Sequence, residues 1–409
     1  MTSYACRICR SSDYDLVLDF GRVALADAFL TSAAAIPQEQ RYPLTLVLCQ
    51  KCLHLQIKEV LDPKLLFSEY VWETGIPASI QRYCHEFAGA VLDRVGNSQH
   101  PTIVEIASND GTMLKEFKSR GCDVVGVDPA RNIAKKANET GIPTVVDFFC
   151  ERVARDLVAE HGQRDIVIAR NVLAHVADLH GLVAGIRSLL ATEGIAVIEV
   201  PHLLNTYLEL QYDQVFHEHI GYHSLDSIIR LFAMHDLAVF DVEHPWIHGG
   251  SVRAYVAHSG DGRQPAAAVA QALAQEQAAG ILDRAAWKRF GERAETQKRL
   301  LRAELLSHRA AGKMVVGYGA SGKGQSMIQF CELDEQLVTY IADKSTMKIG
   351  TLAPGSHIPI VSPERMRADP VDVVLLFAWN FAREILEQEQ ALRQRGVQFL
   401  HPIPEPHYL

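Results

Sequence analysis

The segment IVEIASNDG, residues 103–111, decides the fold class of this chain. It has the pattern of an apolar strand, then a tight turn of small residues, then the start of a helix. Further strand-like runs follow, with helical patterns between them: DVVGVD, IPTVVD, DIVIAR and GIAVIEV. This alternation predicts a parallel, doubly wound α/β sheet in the middle of the chain.

The pattern changes on both sides of this central block. Residues 1–65 carry two Cys-x-x-Cys pairs and short strand-like runs, which predict a zinc-binding module. The pattern of residues 66–300 predicts the central domain, followed by a helical connector that is rich in Ala, Gln, Glu and Arg. Residues 301–409 begin a second, smaller α/β pattern with the run KMVVGYGA. We therefore expect an α/β protein of three domains.

The composition of the 409 residues is that of an ordinary globular protein, with 48% hydrophobic and 22% charged residues. A formal net charge of −9 argues against a dedicated nucleic-acid binder, which normally presents a basic face. No apolar run approaches the ~18 residues of a membrane span, and the first residues lack the apolar stretch of a signal peptide. We expect a cytoplasmic protein that binds neither nucleic acid nor membrane.

Four of the eight cysteines form two knuckles, Cys6 with Cys9 and Cys49 with Cys52. Four thiolates suit tetrahedral zinc and leave no open position for catalysis. The 39 residues between Cys9 and Cys49 exceed the usual ribbon spacing of roughly 15 to 20, so we expect an inserted loop. Reduced core cysteines and a redox pair are the alternatives, and two copies flanking one segment disfavour the redox pair. The sequence predicts a structural zinc site.

Polar residues follow the ends of successive strands in the central block, where ligands of such sheets bind. The turn after the first strand has a single glycine, so it lacks the dinucleotide fingerprint G-x-G-x-x-G. An acid at the end of the second strand can accept both hydroxyls of a ribose, and an acid with an aromatic after the third can bracket an adenine. This layout is that of a class I S-adenosylmethionine methyltransferase, with a plain α/β domain as the alternative. The candidate cofactor-binding residues are Glu105, Ala107, Asn109, Asp110, Asp128, Pro129, Asp147, Phe148 and Asn171.

The order of motifs along the chain resembles one family. After the cysteine pairs come VEIASNDGTMLKEF, VVGVDPARNIA, RNVLAHV, YDQVFHEHIGYHSL, HGGSVRAYVA and VVGYGASGKGQ. The series is similar to the zinc-containing, S-adenosylmethionine-dependent sugar C-methyltransferases, which methylate C-3 of nucleotide-linked 4-keto deoxysugars. The resemblance covers essentially the whole chain. It implies a class I, Rossmann-like methyltransferase domain and a Rossmann-like C-terminal domain that contributes to sugar-nucleotide binding.

The segment YDQVFHEHIGYHSL holds the groups that such chemistry needs. Methylation at carbon requires a base that removes the proton beside a ketone and a group that holds the enolate oxygen. His219 is the candidate base and Glu218 its partner, and the spacing of the two histidines in FHEH does not match the H-E-x-x-H zinc face. The further candidate catalytic residues are His175, His217, Tyr70 and Tyr222.

Phe216 departs from the family pattern, which reads Tyr-His-Glu-His at this point. A tyrosine there can act as an acid, a base or a hydrogen-bond donor to the enolate, whereas phenylalanine cannot. Either His219 and Glu218 suffice, or a hydroxyl of Tyr70 or Tyr222 compensates, or the regiochemistry or substrate differs.

The remaining candidates concern the sugar nucleotide, which we expect to be linked to dTDP or GDP. The glycine pair in HGGSVRAY permits close approach of a ligand, although Gly-Gly is also a common hairpin turn. The glycine-rich turn in VVGYGASGKG resembles a dinucleotide loop, and a helix N-terminus favours a diphosphate. The candidate substrate-binding residues are Phe216, His202, His248, Gly249, Gly250, Gly319, Ser321 and Lys323.

Two other functions stay open at this point. An O-methyltransferase acting on a sugar nucleotide or another small molecule would need only a base near a hydroxyl group. An RNA-directed methyltransferase is disfavoured by the net charge of −9 and by a zinc module that is not rich in Lys and Arg. The expected cofactors are S-adenosylmethionine and a structural Zn²⁺, and the expected assembly is a monomer.

Overall fold

A computed structural model describes residues 4–68, 74–75, 78–95 and 100–409 of the chain. These residues form three β-sheets with helices packed around them. Each of the runs predicted as strands contains a strand, and the stretch between the two α/β blocks holds two long helices. The predicted fold class, an α/β protein with an N-terminal cysteine module, is confirmed.

The first sheet joins the N-terminal module to a distant part of the chain. Its strand order is β1-β2-β3-β9, and every neighbouring pair is antiparallel. The last strand, β9, begins two residues after the FHEH segment (residues 216–219). Among the described strands it pairs only with β3 and is therefore an edge strand of this sheet. The strands are β1 (Tyr14–Ala24), β2 (Arg41–Cys49), β3 (Leu55–Ile57) and β9 (Gly221–Tyr222), and a short helix α1 spans Pro63–Phe67.

The second sheet has the order β10-β11-β8-β7-β4-β5-β6. Strands β4 to β8 are parallel, β11 is antiparallel to β8, and β10 is antiparallel to β11 and therefore runs in the same direction as β4 to β8. The chain runs from β4 outward through β5 and β6, and then returns to β7 on the other side. The loops after β4 and β7 therefore meet at a topological switch point. The strands are β4 (Thr102–Ile106), β5 (Asp123–Val127), β6 (Thr144–Val145), β7 (Arg164–Arg170), β8 (Leu190–Pro201), β10 (Leu237–Glu243) and β11 (Ser251–His258). The helices of this region are α2 (Ala78–Leu92), α3 (Thr112–Lys118), α4 (Arg131–Glu139), α5 (Glu151–His161), α6 (Leu179–Leu189), α7 (Leu203–Leu208) and α8 (Leu225–Ala233).

The connector and the third sheet complete the chain. The connector consists of α9 (Ala267–Ala279) and α10 (Arg284–Ala310), and the sheet has the order β14-β13-β12-β15-β16-β17. Its strands are β12 (Val315–Tyr318), β13 (Ile341–Ala342), β14 (Ile360–Val361), β15 (Val373–Leu376), β16 (Gln398–His401) and β17 (His407–Tyr408). Its helices are α11 (Gly322–Phe330), α12 (Pro363–Ala368), α13 (Ala382–Gln388) and α14 (Gln390–Gln394), and short 3-10 helices elsewhere span Ala33–Gln38, Leu173–His175, Tyr212–Gln214, Ile247–Gly249 and Trp379–Phe381.

One hydrophobic core is shared by the first sheet, α10 and the third sheet. Leu46 of β2, Trp287 of α10 and Val316 of β12 all belong to it and are almost completely buried. The first and last parts of the chain therefore pack against each other and place α11 beside the FHEH segment. In the described part of the chain, no helix combines the length and the apolar character needed to cross a bilayer.

The contact between α10 and β1 depends on a glycine. A Cβ atom at Gly291 would lie 2.2 Å from the carbonyl oxygen of Val17, whereas a Cβ at Gly89 in α2 would meet no atom within 4 Å. We predict that Gly291→Ala lowers the free energy of unfolding by about 1–3 kcal/mol, because backbone must move to admit the methyl group. The matched Gly89→Ala should raise it by about 0.5–1 kcal/mol, because alanine favours the helix. Thermal denaturation measures both, and shifts of the same sign would contradict the packing described here.

Candidate functional site

A cavity of about 440 Å³ lies at the carboxyl ends of β4, β5 and β7. Its wall combines the turns after these strands with the segments around His175, Glu218 and His248. The switch point therefore brings candidate cofactor-binding residues and candidate catalytic residues to one space. The candidates that line it are Ala107, Asn109, Asp128, Pro129, Phe148, Asn171, His175, His217, Glu218 and His248.

The turn after β4 has a left-handed backbone at three positions. Ala107, Asn109 and Gly111 have φ angles of 55°, 51° and 75°, a conformation that only glycine adopts without strain. The amide N–H of Asn109 donates a hydrogen bond of 2.9 Å to Oδ2 of Asp128. The turn is thereby held against the end of β5, and its residues Ala107 and Asn109 line the cavity.

Asp128 is the acid best placed to bind a hydroxylated ligand. Its side chain is buried, and its two oxygens accept the N–H groups of Asn109 and Ala130, each at 2.9 Å. Burial raises the pKa of Asp128, and these two N–H donors oppose that shift. Each carboxylate oxygen keeps a second lone pair, which can accept a hydrogen bond from a ribose hydroxyl.

Three of the acids predicted to bind the cofactor do not line the cavity. Glu105 is buried in β4 and lies 3.3 Å from the guanidinium of Arg170, which does line the cavity, and burial raises the pKa of Glu105 to about 7. Asp110 accepts the backbone N–H of Gly75, which precedes α2, and that of Thr112 in α3, and Asp147 pairs with Arg152. In this structure all three carboxylates contact protein groups.

Asn171 and His248 form a pair in the wall of the cavity. Nδ2 of Asn171 donates to Nε2 of His248 at 3.0 Å, and burial lowers the pKa of His248 to about 3, so the ring is neutral and can accept. Oδ1 of Asn171 is then buried with no protein partner among the described residues. Because an unmade buried hydrogen bond is costly, this oxygen is suited to a donor on a bound ligand.

His175 and His219 lie side by side, with ring centroids 4.9 Å apart. Nδ1 of His219 is 3.0 Å from the carbonyl oxygen of Gln214. Because a carbonyl can only accept, Nδ1 carries the proton and Nε2 is the basic nitrogen. Burial lowers the pKa of His219 well below its usual value, with a further contribution from the charge of its neighbours, and burial lowers that of His175 to about 4. Both rings are therefore neutral at neutral pH.

His219 does not itself line the large cavity. Its ring is partly exposed and borders a small void beside Gln214 and His223. His217 lines the cavity and lies with Nε2 3.1 Å from the carbonyl oxygen of Pro43. Glu218, between them, also lines the cavity.

Phe216 packs against the candidate base and does not line the large cavity. Its ring centroid is 4.1 Å from that of His219, and a Cβ at Gly322 of α11 would lie 3.4 Å from the ring. The hydroxyl of Tyr222 is buried and donates to the backbone carbonyl of His219 at 2.8 Å. Tyr222 therefore supports the backbone of the segment, and Tyr70 lies outside the described residues.

Three candidates for substrate binding make protein contacts away from the cavity. Nε2 of His202 is 2.7 Å from the buried carboxylate of Glu276. The carbonyl of Gly249 accepts from Gln211 at 2.8 Å. A Cβ at Gly250 would lie 2.5 Å from the amide of Asn205, so this glycine permits close packing of the protein itself.

The glycine-rich turn before α11 also lies outside the cavity wall. Gly319 has φ 94° and packs against Ala378, and Oγ of Ser321 caps α11 by accepting the N–H of Gly324. Nζ of Lys323 donates to the carbonyl of His248 at 2.8 Å, and burial lowers the pKa of this lysine to about 8. Lys323 thus connects the third sheet to a residue of the cavity wall.

The four cysteines of the N-terminal module form one cluster. Their sulfur atoms all lie within 4.8 Å of one another, with 3.4 Å between Cys6 and Cys52 and 3.5 Å between Cys9 and Cys49. Four sulfurs about 2.3 Å from one zinc ion would be about 3.8 Å apart, so the cluster fits tetrahedral Zn²⁺. With sulfur at all four positions, such a centre stabilises the module and takes no part in chemistry.

Three family models match the chain in order. A zinc binding domain matches residues 6–67, a methyltransferase domain residues 80–242, and a C-methyltransferase C-terminal domain residues 246–404. The chain is 35% identical over 401 residues to C-methyltransferase NovU from Streptomyces niveus, covering 98% of this chain and 96% of that protein.

Solved structures also resemble part of the chain. Magnesium protoporphyrin IX methyltransferase (ChlM) from Synechocystis PCC 6803 with bound S-adenosylmethionine is 12% identical, with a TM-score of 0.32, and covers 43% of this chain and 79% of its own. The PH0226 protein from Pyrococcus horikoshii OT3 is 17% identical, with a TM-score of 0.36, and covers 49% of this chain and all of its own. Likenesses at these scores carry no argument.

The switch-point cavity and the four-cysteine centre, together with the three matching family models, define the class: a zinc-containing methyltransferase that uses S-adenosylmethionine. The chain belongs to the zinc-containing, S-adenosylmethionine-dependent C-methyltransferase family, and it is an enzyme that transfers methyl to carbon. The resemblance read from the motifs is confirmed, as are the two cofactors.

Some residues of the site gave no usable signal in the sequence. Arg170 is the last residue of β7, and its role depends on Glu105, which lies 65 residues earlier in the chain. Gln214 acts through its backbone carbonyl, which every residue possesses. Only the spatial arrangement identifies either of them.

We predict that Asp128→Asn weakens binding of S-adenosylmethionine by about 10-fold or more, because hydrogen bonds to a charged acceptor contribute about 1.5–3 kcal/mol. The amide would also turn a donor toward the N–H of Asn109 or Ala130. Isothermal titration calorimetry measures the affinity. The control Asp156→Asn changes an exposed acid of α5 and should leave it unchanged. Equal affinities of the two variants for S-adenosylmethionine would show that Asp128 does not contribute to its binding.

Proposed function

We propose that this enzyme methylates C-3 of a nucleotide-linked 4-keto deoxysugar during the biosynthesis of a branched sugar. In this proposal the sugar is carried on dTDP or GDP, residues 301–409 contribute to its binding, and the enzyme acts as a cytoplasmic monomer. The observation that supports it best is a neutral histidine, His219, with its tautomer set by Gln214, next to the methyl-donor cavity.

S-adenosylmethionine supplies an electrophilic methyl group on a sulfonium. The residues of the chain have to create the nucleophile. Nε2 of His219 accepts the proton from the carbon beside the ketone, and the electron pair of that C–H bond moves onto the ketone oxygen to form an enolate. The guanidinium of Arg170, on the cavity wall, can offset the negative charge of this oxygen. Attack of the enolate carbon on that methyl group would form the new carbon–carbon bond as the methyl–sulfur bond breaks. This restores the ketone, leaves the proton on the histidine and leaves the donor as a neutral thioether.

The proposed roles of the other candidates follow from their positions. His175 and Glu218 line the cavity and flank His219, so they orient the base and the substrate. Asp128 and the oxygen of Asn171 would hold the cofactor, because both line the cavity and retain acceptor capacity, and Asn109 lines the same wall.

Exchange of the C-3 proton in deuterated water tests the proposal directly. The enzyme should catalyse exchange on a 4-keto sugar nucleotide, and mass spectrometry of products from dTDP-, GDP- and CDP-linked 4-keto sugars should show a methyl group on C-3. We predict that His219→Asn lowers the exchange rate by about 10²–10⁴-fold, the usual contribution of a positioned base.

The control His161→Asn removes an exposed histidine at the end of α5 and should exchange at the wild-type rate. Methylation of a 4-hydroxy sugar without exchange would instead identify an O-methyltransferase. Exchange that survives in His219→Asn would assign the base to another residue.

The pH dependence of exchange reports the state of the base. An unperturbed histidine loses its basic form as the pH falls through about 6.5. Because burial lowers the pKa of His219, the ring stays neutral and basic to a lower pH. We predict that the exchange rate is constant from pH 8 to about 6 and falls only below that range. A fall centred between pH 6.5 and 7, measured at saturating substrate, would contradict a desolvated base.

A further inference from the structure

Arg7 lies inside the first cysteine knuckle, between Cys6 and Cys9, and its side chain is directed into the protein. It is 5% exposed. Its Nη1 donates to the side-chain oxygen of Gln56 at 2.8 Å, to the carbonyl of Ile57 at 3.0 Å and to the carbonyl of Ile220 at 2.8 Å. Ile220 is 213 residues away in sequence and directly follows His219.

The peptide groups of Ile220 connect three parts of the site. The N–H of Ile220 donates to the carbonyl of Ala174, the residue before His175, at 2.6 Å. The carbonyl of Ile220 accepts from the N–H of Ile57 at 3.1 Å and also from Arg7. The bond from Arg7 comes from a residue that lies between Cys6 and Cys9 in the chain. It therefore connects the backbone of the first cysteine knuckle to the backbone next to His219.

The charge of Arg7 also matches its surroundings. Within the described residues its guanidinium donates to neutral oxygens, and a buried cation without an opposite charge is costly. Four thiolates around one Zn²⁺ carry a net negative charge, and Cys6 and Cys9 flank Arg7. With zinc bound, this centre would add negative charge next to Arg7, together with the nearby carboxylate of Glu59, and so favour an arginine at this depth.

We propose that Arg7 is a positioning residue for the reaction: it holds the carbonyl of Ile220 and thereby sets the place of His219. This inference rests on the proposed function, since it assumes that His219 is the base. It gives the zinc module a role in catalysis that involves no chemistry at the metal. The module carries the arginine that aligns the catalytic segment.

The variant Arg7→Met removes the donors and the charge while keeping the length of the side chain. We expect kcat for methylation and the rate of C-3 proton exchange to fall by about 10- to 100-fold, because small displacements of a base have effects of this size. The KM for the sugar nucleotide and the affinity for S-adenosylmethionine should change by less than about three-fold, because Arg7 does not line the cavity. Zinc content, measured by inductively coupled plasma mass spectrometry, should stay at one ion per chain.

Arg7→Lys keeps the charge and one donor, so it should retain zinc and recover part of the lost kcat. The control Lys51→Met removes an exposed cation from the second knuckle and should behave as wild type. Loss of zinc and kcat in parallel in both Arg7 variants would show that Arg7 only supports the metal centre, and unchanged kcat with full zinc would show that it positions nothing. If the wild-type enzyme shows no exchange on any keto-sugar, the proposed function fails and the role of Arg7 fails with it. Exchange that is normal in both wild type and Arg7→Met overturns the role of Arg7 alone.

Discussion

The backbone of Ile220 is bonded on both sides, and the arrangement of the active site depends on these bonds. Its N–H binds the carbonyl of Ala174 and its carbonyl binds the N–H of Ile57. Through the first bond the FHEH segment is aligned with the turn that carries His175, and through the second it becomes part of the sheet of the cysteine module. The next residues form β9, which pairs with β3 and extends this alignment. A single short strand therefore relates the zinc module to the methyltransferase cavity.

The second constraint is partial desolvation of the histidines. His175, His219 and His248 each keep some exposed surface, and burial of the rest lowers the pKa of each. Neutral imidazoles can accept protons and hydrogen bonds, whereas imidazolium ions cannot. The buried cations nearby reinforce this state, since Lys323 and Arg170 both disfavour a charge on His248. Neutral rings with fixed tautomers suit the proposed base, which has to accept a proton from a weakly acidic C–H bond.

Sequence patterns predicted the fold well because each pattern acts locally. Apolar runs of strand length with helical patterns between them produce the central sheet, and two cysteine pairs produce one sulfur cluster. The rule that ligands bind at strand ends placed Asn109 and Asp128 in the cavity wall. The same rule placed Glu105 and Asp147 there too. In the structure Glu105 forms an ion pair with Arg170 and Asp147 forms one with Arg152. Which opposite charges pair depends on the side chains that the fold brings together.

The sequence by itself determined the α/β class and the four cysteines of the zinc site, and it supplied the candidates for the proposed chemistry. Each of these depends on residue type and on short spacing along the chain. Only the tertiary structure decided that Tyr222 supports the backbone of His219, that Phe216 packs between His219 and α11, and that Arg7 reaches Ile220. These contacts join groups through backbone carbonyls and across long stretches of sequence. Carbonyl acceptors are the same in every residue, so no pattern of residue types can reveal which of them a side chain will meet.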